Sequence, residues 1–155
     1  MISLSLNVSF ELGKVRAEEI LYSKKAYEKF IEWIKAQGGN TQLIRDVSLF
    51  PKAEFSLQIL AETQGYICSM DCEQIGVAAS VLGAGRNNKE SAIDYSSGII
   101  VSKKIGDYLK EGDILATLYT NDKTSLEKAK ELYKNAISFS EIKPTTSPQI
   151  IEIIR

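Results

Sequence analysis

The chain has 155 residues, 44% of them hydrophobic and 25% charged, with 19 lysines and arginines against 20 acidic side chains. This composition suits a folded domain with its own core and excludes a disordered tail, and the balanced charge lacks the clustered cations that a nucleic-acid binder needs for phosphate contacts. The absence of histidine excludes a Ser-His-Asp triad and removes the commonest nitrogen ligand for transition metals.

Residues 1–10 carry no basic n-region, and Ser3, Ser5, Asn7 and Ser9 interrupt their apolar residues, so neither a signal peptide nor a membrane span is expected. Residues 1 to about 40 read as helical. Val15, Ala17, Ile20 and Leu21 can share one side, and Tyr27, Phe30, Ile31 and Ile34 follow the i, i+3, i+4, i+7 spacing, with Glu28, Lys29, Glu32 and Lys35 on the other face. Gly38-Gly39 supplies the left-handed residue that ends helices. The expected product is a helical hairpin whose apolar stripe lacks a partner. Over residues 41–52 the periodicity fails and Pro51 removes a backbone donor, which suggests a connection and a domain boundary near residue 52.

Downstream, Phe55, Leu57, Ile59 and Ala61 alternate with Glu54, Ser56, Gln58 and Leu60, as in a strand with one buried face. Gly65 turns the chain into a second strand over residues 66–69. Asp71-x-x-Gln74 has the form of a capping box and opens a short helix over residues 75–82, closed by Gly83. A loop over residues 83–91 follows, and strand character returns at Gly98-Ile99-Ile100-Val101-Ser102. An internal echo comes next: Ile105-Gly106-Asp107-Tyr108-Leu109 and Glu111-Gly112-Asp113-Ile114-Leu115, in which each Gly-Asp can turn the chain into a β segment. Residues 113–120 read as a strand. Thr124-x-x-Glu127 reads as a second capping box, opening a helix with Leu126, Ala129, Leu132, Tyr133, Ala136 and Ile137 inward. After Pro144 and Pro148, the run Ile150-Ile151-Glu152-Ile153-Ile154 reads as a buried strand.

The residues that could carry chemistry also have plain readings. Gly83, Gly85, Arg86 and Lys89 invite a phosphate-cradling loop, but their spacing matches neither a Walker loop nor a dinucleotide fingerprint, which favours a solvated turn. Asp71, Asp94, Asp107 and Asp113 all lie beside turn residues, where aspartate commonly accepts from nearby amides. Cys68 and Cys72 are too few for a disulfide framework or a four-ligand zinc site, with no third soft ligand to join them, and read as reduced thiols. The Gly-Asp echo resembles the segment of biotinyl and lipoyl carrier domains that leads into a closing strand, but neither Lys103 nor Lys104 has the flanking residues of a modifiable carrier lysine.

A more specific resemblance rests on an ordered set of stretches: Lys25-Ala26-Tyr27-Glu28-Lys29-Phe30, Ala36-Gln37-Gly38-Gly39, Leu49-Phe50-Pro51-Lys52-Ala53, Leu82-Gly83-Ala84-Gly85-Arg86, Ile93-Asp94, Gly98-Ile99 and Lys104-Ile105-Gly106-Asp107. In this order and at these separations they resemble the C-terminal third of pyrimidine-nucleoside phosphorylases, including thymidine phosphorylase; AMP phosphorylases share part of the pattern. The resemblance implies an α+β fold: an N-terminal helical hairpin followed by an α/β hammerhead, a curled, barrel-sandwich-like antiparallel sheet with two helices. Residues 1–52 would be the helical remnant of a central α/β domain with its linker, and residues 53–155 the hammerhead.

The family exchanges the base of a pyrimidine nucleoside for phosphate, giving free base and a pentose 1-phosphate. Its phosphate- and base-holding residues belong to regions upstream of the matched one. The resemblance thus implies a non-catalytic module, inactive alone, whose partners are the N-terminal and central domains of a cytoplasmic, homodimeric parent enzyme. No catalytic residue, metal ligand, cofactor, nucleic acid or membrane is expected. The loop with Gly83, Gly85, Arg86 and Lys89 would lie toward the rim of the catalytic cleft. The alternatives are a biotinyl- or lipoyl-like carrier and a stand-alone binding module.

Overall fold

Strict alternation over residues 55–60 makes the first strand. In the computed structural model, which describes residues 1–86, 89, 91–146 and 152, Phe55, Leu57 and Ile59 turn inward along β1 (Phe55–Leu60), and Ser56, Gln58 and Leu60 face water. The chain divides into two compact units, Met1–Phe50 and Pro51–Arg155. The described residues are α+β, with six α-helices in all and two three-stranded antiparallel sheets, neither closed. None of these helices is long and apolar enough to cross a membrane.

The first unit is helical: α1 (Ile2–Leu6), α2 (Phe10–Tyr22), α3 (Lys25–Ala36) and α4 (Thr41–Arg45), followed by a 3₁₀ turn, Val47–Leu49. Ser9 caps α2 by accepting from the Leu12 amide at 3.2 Å. Gly13 lets α1 approach closely, since a Cβ there would stand 2.7 Å from the Ser3 Cβ. Residues 41–52 are more ordered than their broken periodicity suggests. Asn40 Oδ1 caps α4 by accepting from the Gln42 amide at 2.9 Å, and the Tyr27 hydroxyl donates to the Ile44 carbonyl at 3.3 Å. The helices were legible from spacing, yet their apolar side remains open: Gly13 is the only buried residue of this unit, and Tyr27, Phe30 and Trp33 are exposed.

The second unit holds the core. β5 (Ile114–Thr120) is central in one sheet, pairing with β1 and with β3 (Gly98–Val101). β2 (Gly65–Met70) is central in the other, between β4 (Tyr108–Leu109) and β6 (Ile137–Ser140). α5 (Cys72–Ala79) packs on α6 (Ser125–Asn135), and α6 also packs on β1, β5 and β6. Ile59, Ile67, Leu109, Leu118 and Tyr133 are fully or almost fully buried between these elements. The Tyr133 hydroxyl has no hydrogen-bond partner among the described residues, and burial pushes its pKa up to about 12.

The Gly-Asp echo is two copies of one turn. Asp107 Oδ2 accepts from the Lys104 amide at 2.8 Å, and Asp113 Oδ2 accepts from the Lys110 amide at 2.9 Å. Gly106 and Gly112 adopt φ of 92° and 85°, values that side-chain-bearing residues seldom reach. Each turn then exchanges a pair of backbone bonds with one residue across from it. Gly106 N donates to Ile67 O and Ile67 N to Asp107 O, while Gly112 N donates to Ala61 O and Ala61 N to Asp113 O. The six-residue repeat in the turns thus matches a six-residue step between the opposing residues.

Two readings of the second unit need correction. Thr124 is not a capping-box residue: its backbone is helical, and its own amide and hydroxyl donate to Asp122 Oδ1 at 2.9 and 2.6 Å. α6 also stops at Asn135, so Ile137 begins β6 and pairs with Met70. Both Ile137 and Phe139 meet the core from this strand, a pattern too short to separate from the helical stripe before it. The strand expected over residues 150–154 lies outside the described residues, except for Glu152, which is exposed.

Candidate functional site

Asp71 starts the element that carries the glycine loop. Its Oδ1 accepts from the amides of Glu73 and Gln74 at 3.0 and 3.1 Å, capping α5 as the sequence suggests. α5 continues into a π-type turn, Ser80–Ala84, which breaks at Gly83, where φ is 110°. A Cβ at Gly83 would also meet the Asp94 Cβ and Ser97 Oγ at 3.4 Å. At Gly85 a Cβ would come within 2.9 Å of the Ser80 Cβ, so the backbone folds tightly onto the helix end. Arg86 and Lys89 follow and are exposed.

Two braces hold this end of the helix. The first is Thr120, fully buried at the end of β5, whose hydroxyl donates to the Leu82 carbonyl at 2.7 Å. That bond satisfies a carbonyl the helix end would otherwise leave unpaired. The second is Asp94, whose amide donates to the Gly83 carbonyl at 2.9 Å.

The Asp94 carboxylate is itself a hub. Oδ1 accepts from the amide and hydroxyl of Ser96 at 2.9 and 2.7 Å, and Oδ2 accepts from the Ser97 hydroxyl and from Asn121 Nδ2 at 2.6 and 2.8 Å. Asn121 Oδ1 in turn accepts from the Glu54 amide at 2.8 Å, joining the hub to the start of β1. The Ser97 hydroxyl first, and then the hydroxyl and amide of Ser96, hold the Asp94 carboxyl far below its ordinary range, outweighing partial desolvation. Asp94 therefore stays ionised at neutral pH and positions backbone; a group held so strongly as an anion is poorly suited to general acid work.

Beside the hub lies an open cavity of about 500 Å³ whose lining includes Lys52, Ser56, Ser96, Ser97 and Tyr119. Its hydroxyls suggest an anion site, but those of Ser96 and Ser97 already donate to Asp94, and that carboxylate repels a second negative charge.

Among the sequence candidates, Gly83 and Gly85 shape one loop entrance, with Arg86 next to it; no contact joins Lys89 to them among those described. Asp107 and Asp113 serve the repeated turns. Lys104 is tied through its amide to the first of these turns and does not sit at a hairpin tip. Sequence reasoning missed Asn121 and Thr120, which act across long separations; it read Asp94 as a turn-side acceptor from nearby amides, as the Ser96 amide bears out, but not its bonds from the Ser96 and Ser97 hydroxyls.

Residues 66–140 match the family model described as the pyrimidine nucleoside phosphorylase C-terminal domain. The chain is 40% identical over 126 residues to thymidine phosphorylase of Metamycoplasma hominis, covering 81% of this chain and 46% of that relative. It is 36% identical over 142 residues to pyrimidine-nucleoside phosphorylase of Bacillus subtilis (strain 168), covering 92% of this chain and 32% of the relative. To the enzyme of the same name from Geobacillus stearothermophilus it is 34% identical over 127 residues. The chain is therefore a C-terminal region of the pyrimidine-nucleoside phosphorylase and thymidine phosphorylase family, and it spans less than half the length of these relatives.

Proposed function

We propose that this chain is the non-catalytic module of a pyrimidine-nucleoside phosphorylase and supports the cleft in which base and phosphate exchange. The parent reaction converts a pyrimidine nucleoside and phosphate to free base and pentose 1-phosphate. The match over residues 66–140 is the observation that carries this reading. The second unit would be the α/β hammerhead, whose duplicated Gly-Asp turns suit a barrel-sandwich ancestry, and the first would be helices of the central domain. The parent would be a cytoplasmic homodimer supplying the N-terminal and central domains, with no nucleic acid or membrane involved.

In this reading, Asp94 and Thr120 fix the end of α5 so that Gly83 and Gly85 direct Arg86 and Lys89 toward the cleft rim. Charge at the rim would help close or order the cleft without touching the reacting atoms. The test is a graft in which residues 66–140 replace the corresponding segment of the Bacillus subtilis enzyme. The graft should retain phosphorolysis, and joint replacement of Arg86 and Lys89 by Ala should lower kcat or raise an apparent KM by on the order of tenfold, about 1.4 kcal/mol. Unchanged kinetics in the double variant would refute the rim role.

A further inference from the structure

The two cysteines stand on different elements. Cys68 lies in β2 and Cys72 is the first residue of α5; both are free thiols, Cys68 partly buried and Cys72 exposed. Along β2, Ile67 faces Phe139 and Ser69 faces Ser138 on β6, so Cys68 is the extra residue of a β-bulge. Bulges re-aim side chains and shift the inward phase of a strand. Here Ile67 is buried, Ser69 is exposed, and Met70 packs against the core.

As a result, Cys68, Met70 and Cys72 line one cavity of about 740 Å³, together with Ile75, Ile105 and Lys104. The Cys72 Sγ stands 4.0 Å from the Met70 carbonyl, so its side chain lies back toward the strand end. Among the described residues lining this cavity there is no carboxylate. Among the described residues no three His, Cys, Asp or Glu side chains converge anywhere, so zinc would find no ordinary ligand set. Counting only Cys and His overlooks Met70, whose thioether makes it the third sulfur-bearing side chain among the lining residues.

We propose that Cys68, Cys72 and Met70 form a binding site for a soft monovalent d¹⁰ ion of the Cu(I) class. Thiolate and thioether donors favour such an ion, and it accepts two or three ligands where zinc requires four. Binding forms two thiolate–metal bonds and releases two thiol protons to solvent, with no change of oxidation state. The thioether completes a trigonal set. Two thiolates around one monovalent cation leave a net charge of one unit negative, which the Lys104 ammonium on the same cavity offsets. This inference is independent of the phosphorylase reading.

The test uses the full chain, reduced and under anaerobic conditions, titrated with Cu(I) against a chromophoric Cu(I) chelator. The expected result is one ion per chain, with sulfur-only coordination by X-ray absorption. Cys72→Ser, at an exposed position, should weaken binding by on the order of 100-fold, and Met70→Leu by roughly tenfold. Cys68→Ser should match Cys72→Ser if it retains the wild-type circular dichroism spectrum; if it unfolds, the other two variants decide. Failure of the wild-type chain to compete with the chelator, wild-type affinity in Cys72→Ser, or nitrogen and oxygen coordination would each overturn the proposal.

Discussion

Asp94 shows how one side chain can set a loop. Its carboxylate gathers donors from Ser96, Ser97 and Asn121, and its amide holds the Gly83 carbonyl. Because its folded pKa is depressed from the ordinary 3.8, the stability this network provides is complete above about pH 4 and is lost as pH falls toward the folded value. Asp94→Asn should cost about 1 kcal/mol at neutral pH, a modest figure because part of the network is open to water. Urea unfolding of both proteins across pH should show a gap that is constant from neutral pH to about pH 4.5 and narrows below pH 4; a gap independent of pH would remove Asp94 from this role. The capping role of Asp71 was legible because cap and amide lie two and three residues apart. The acceptance by Asp94 from the nearby Ser96 amide was equally legible, but its bond from Asn121 was not, because that residue comes from 27 residues away.

At the scale of elements, period and punctuation carried most of the information. The alternation before Ala61 and the spacing in α3 identify β1 and the helix directly, and each Gly-Asp pair marks its turn. β6 was hidden because Ile137 continues the apolar stripe of α6, and four residues are too few to show a change of period. The two copies of the turn also give a clean test of backbone conformation. At Gly112 a Cβ would meet nothing within 4 Å, so Gly112→Ala isolates the cost of φ = 85° from any steric clash. Thermal unfolding should show a loss of about 1 kcal/mol. A neutral substitution would mean that the turn does not constrain the sheets. At Gly106, where the Thr146 methyl lies 3.1 Å from the added carbon, the loss should be larger.

The two units differ in what they bury. Residues 51–146 carry a continuous apolar core, whereas the first fifty residues bury only Gly13 and leave Tyr27 42%, Phe30 39% and Trp33 58% exposed. A stripe of this size is characteristic of a surface that meets another protein surface. The isolated chain should therefore associate with itself in a concentration-dependent way, and Phe30→Glu with Trp33→Glu should reduce that association; sedimentation of both proteins as single chains at all concentrations would contradict this. The sequence showed a stripe of Tyr27, Phe30, Ile31 and Ile34 and its period; Tyr27 and Phe30 are exposed, whereas Ile31 and Ile34 are half-buried and Trp33 joins the open side. The sequence could not show the tight fold of the glycine loop or the sulfur-lined cavity, since both depend on elements distant along the chain and on a bulge that no local pattern announces.

The claim on which this account rests is that phosphorolysis belongs to parts of the parent enzyme outside these 155 residues. The most direct measurement is release of uracil or thymine when the purified chain is incubated with uridine or thymidine and inorganic phosphate. No base should appear above the protein-free blank. Phosphate-dependent release of base by this chain alone would contradict the account.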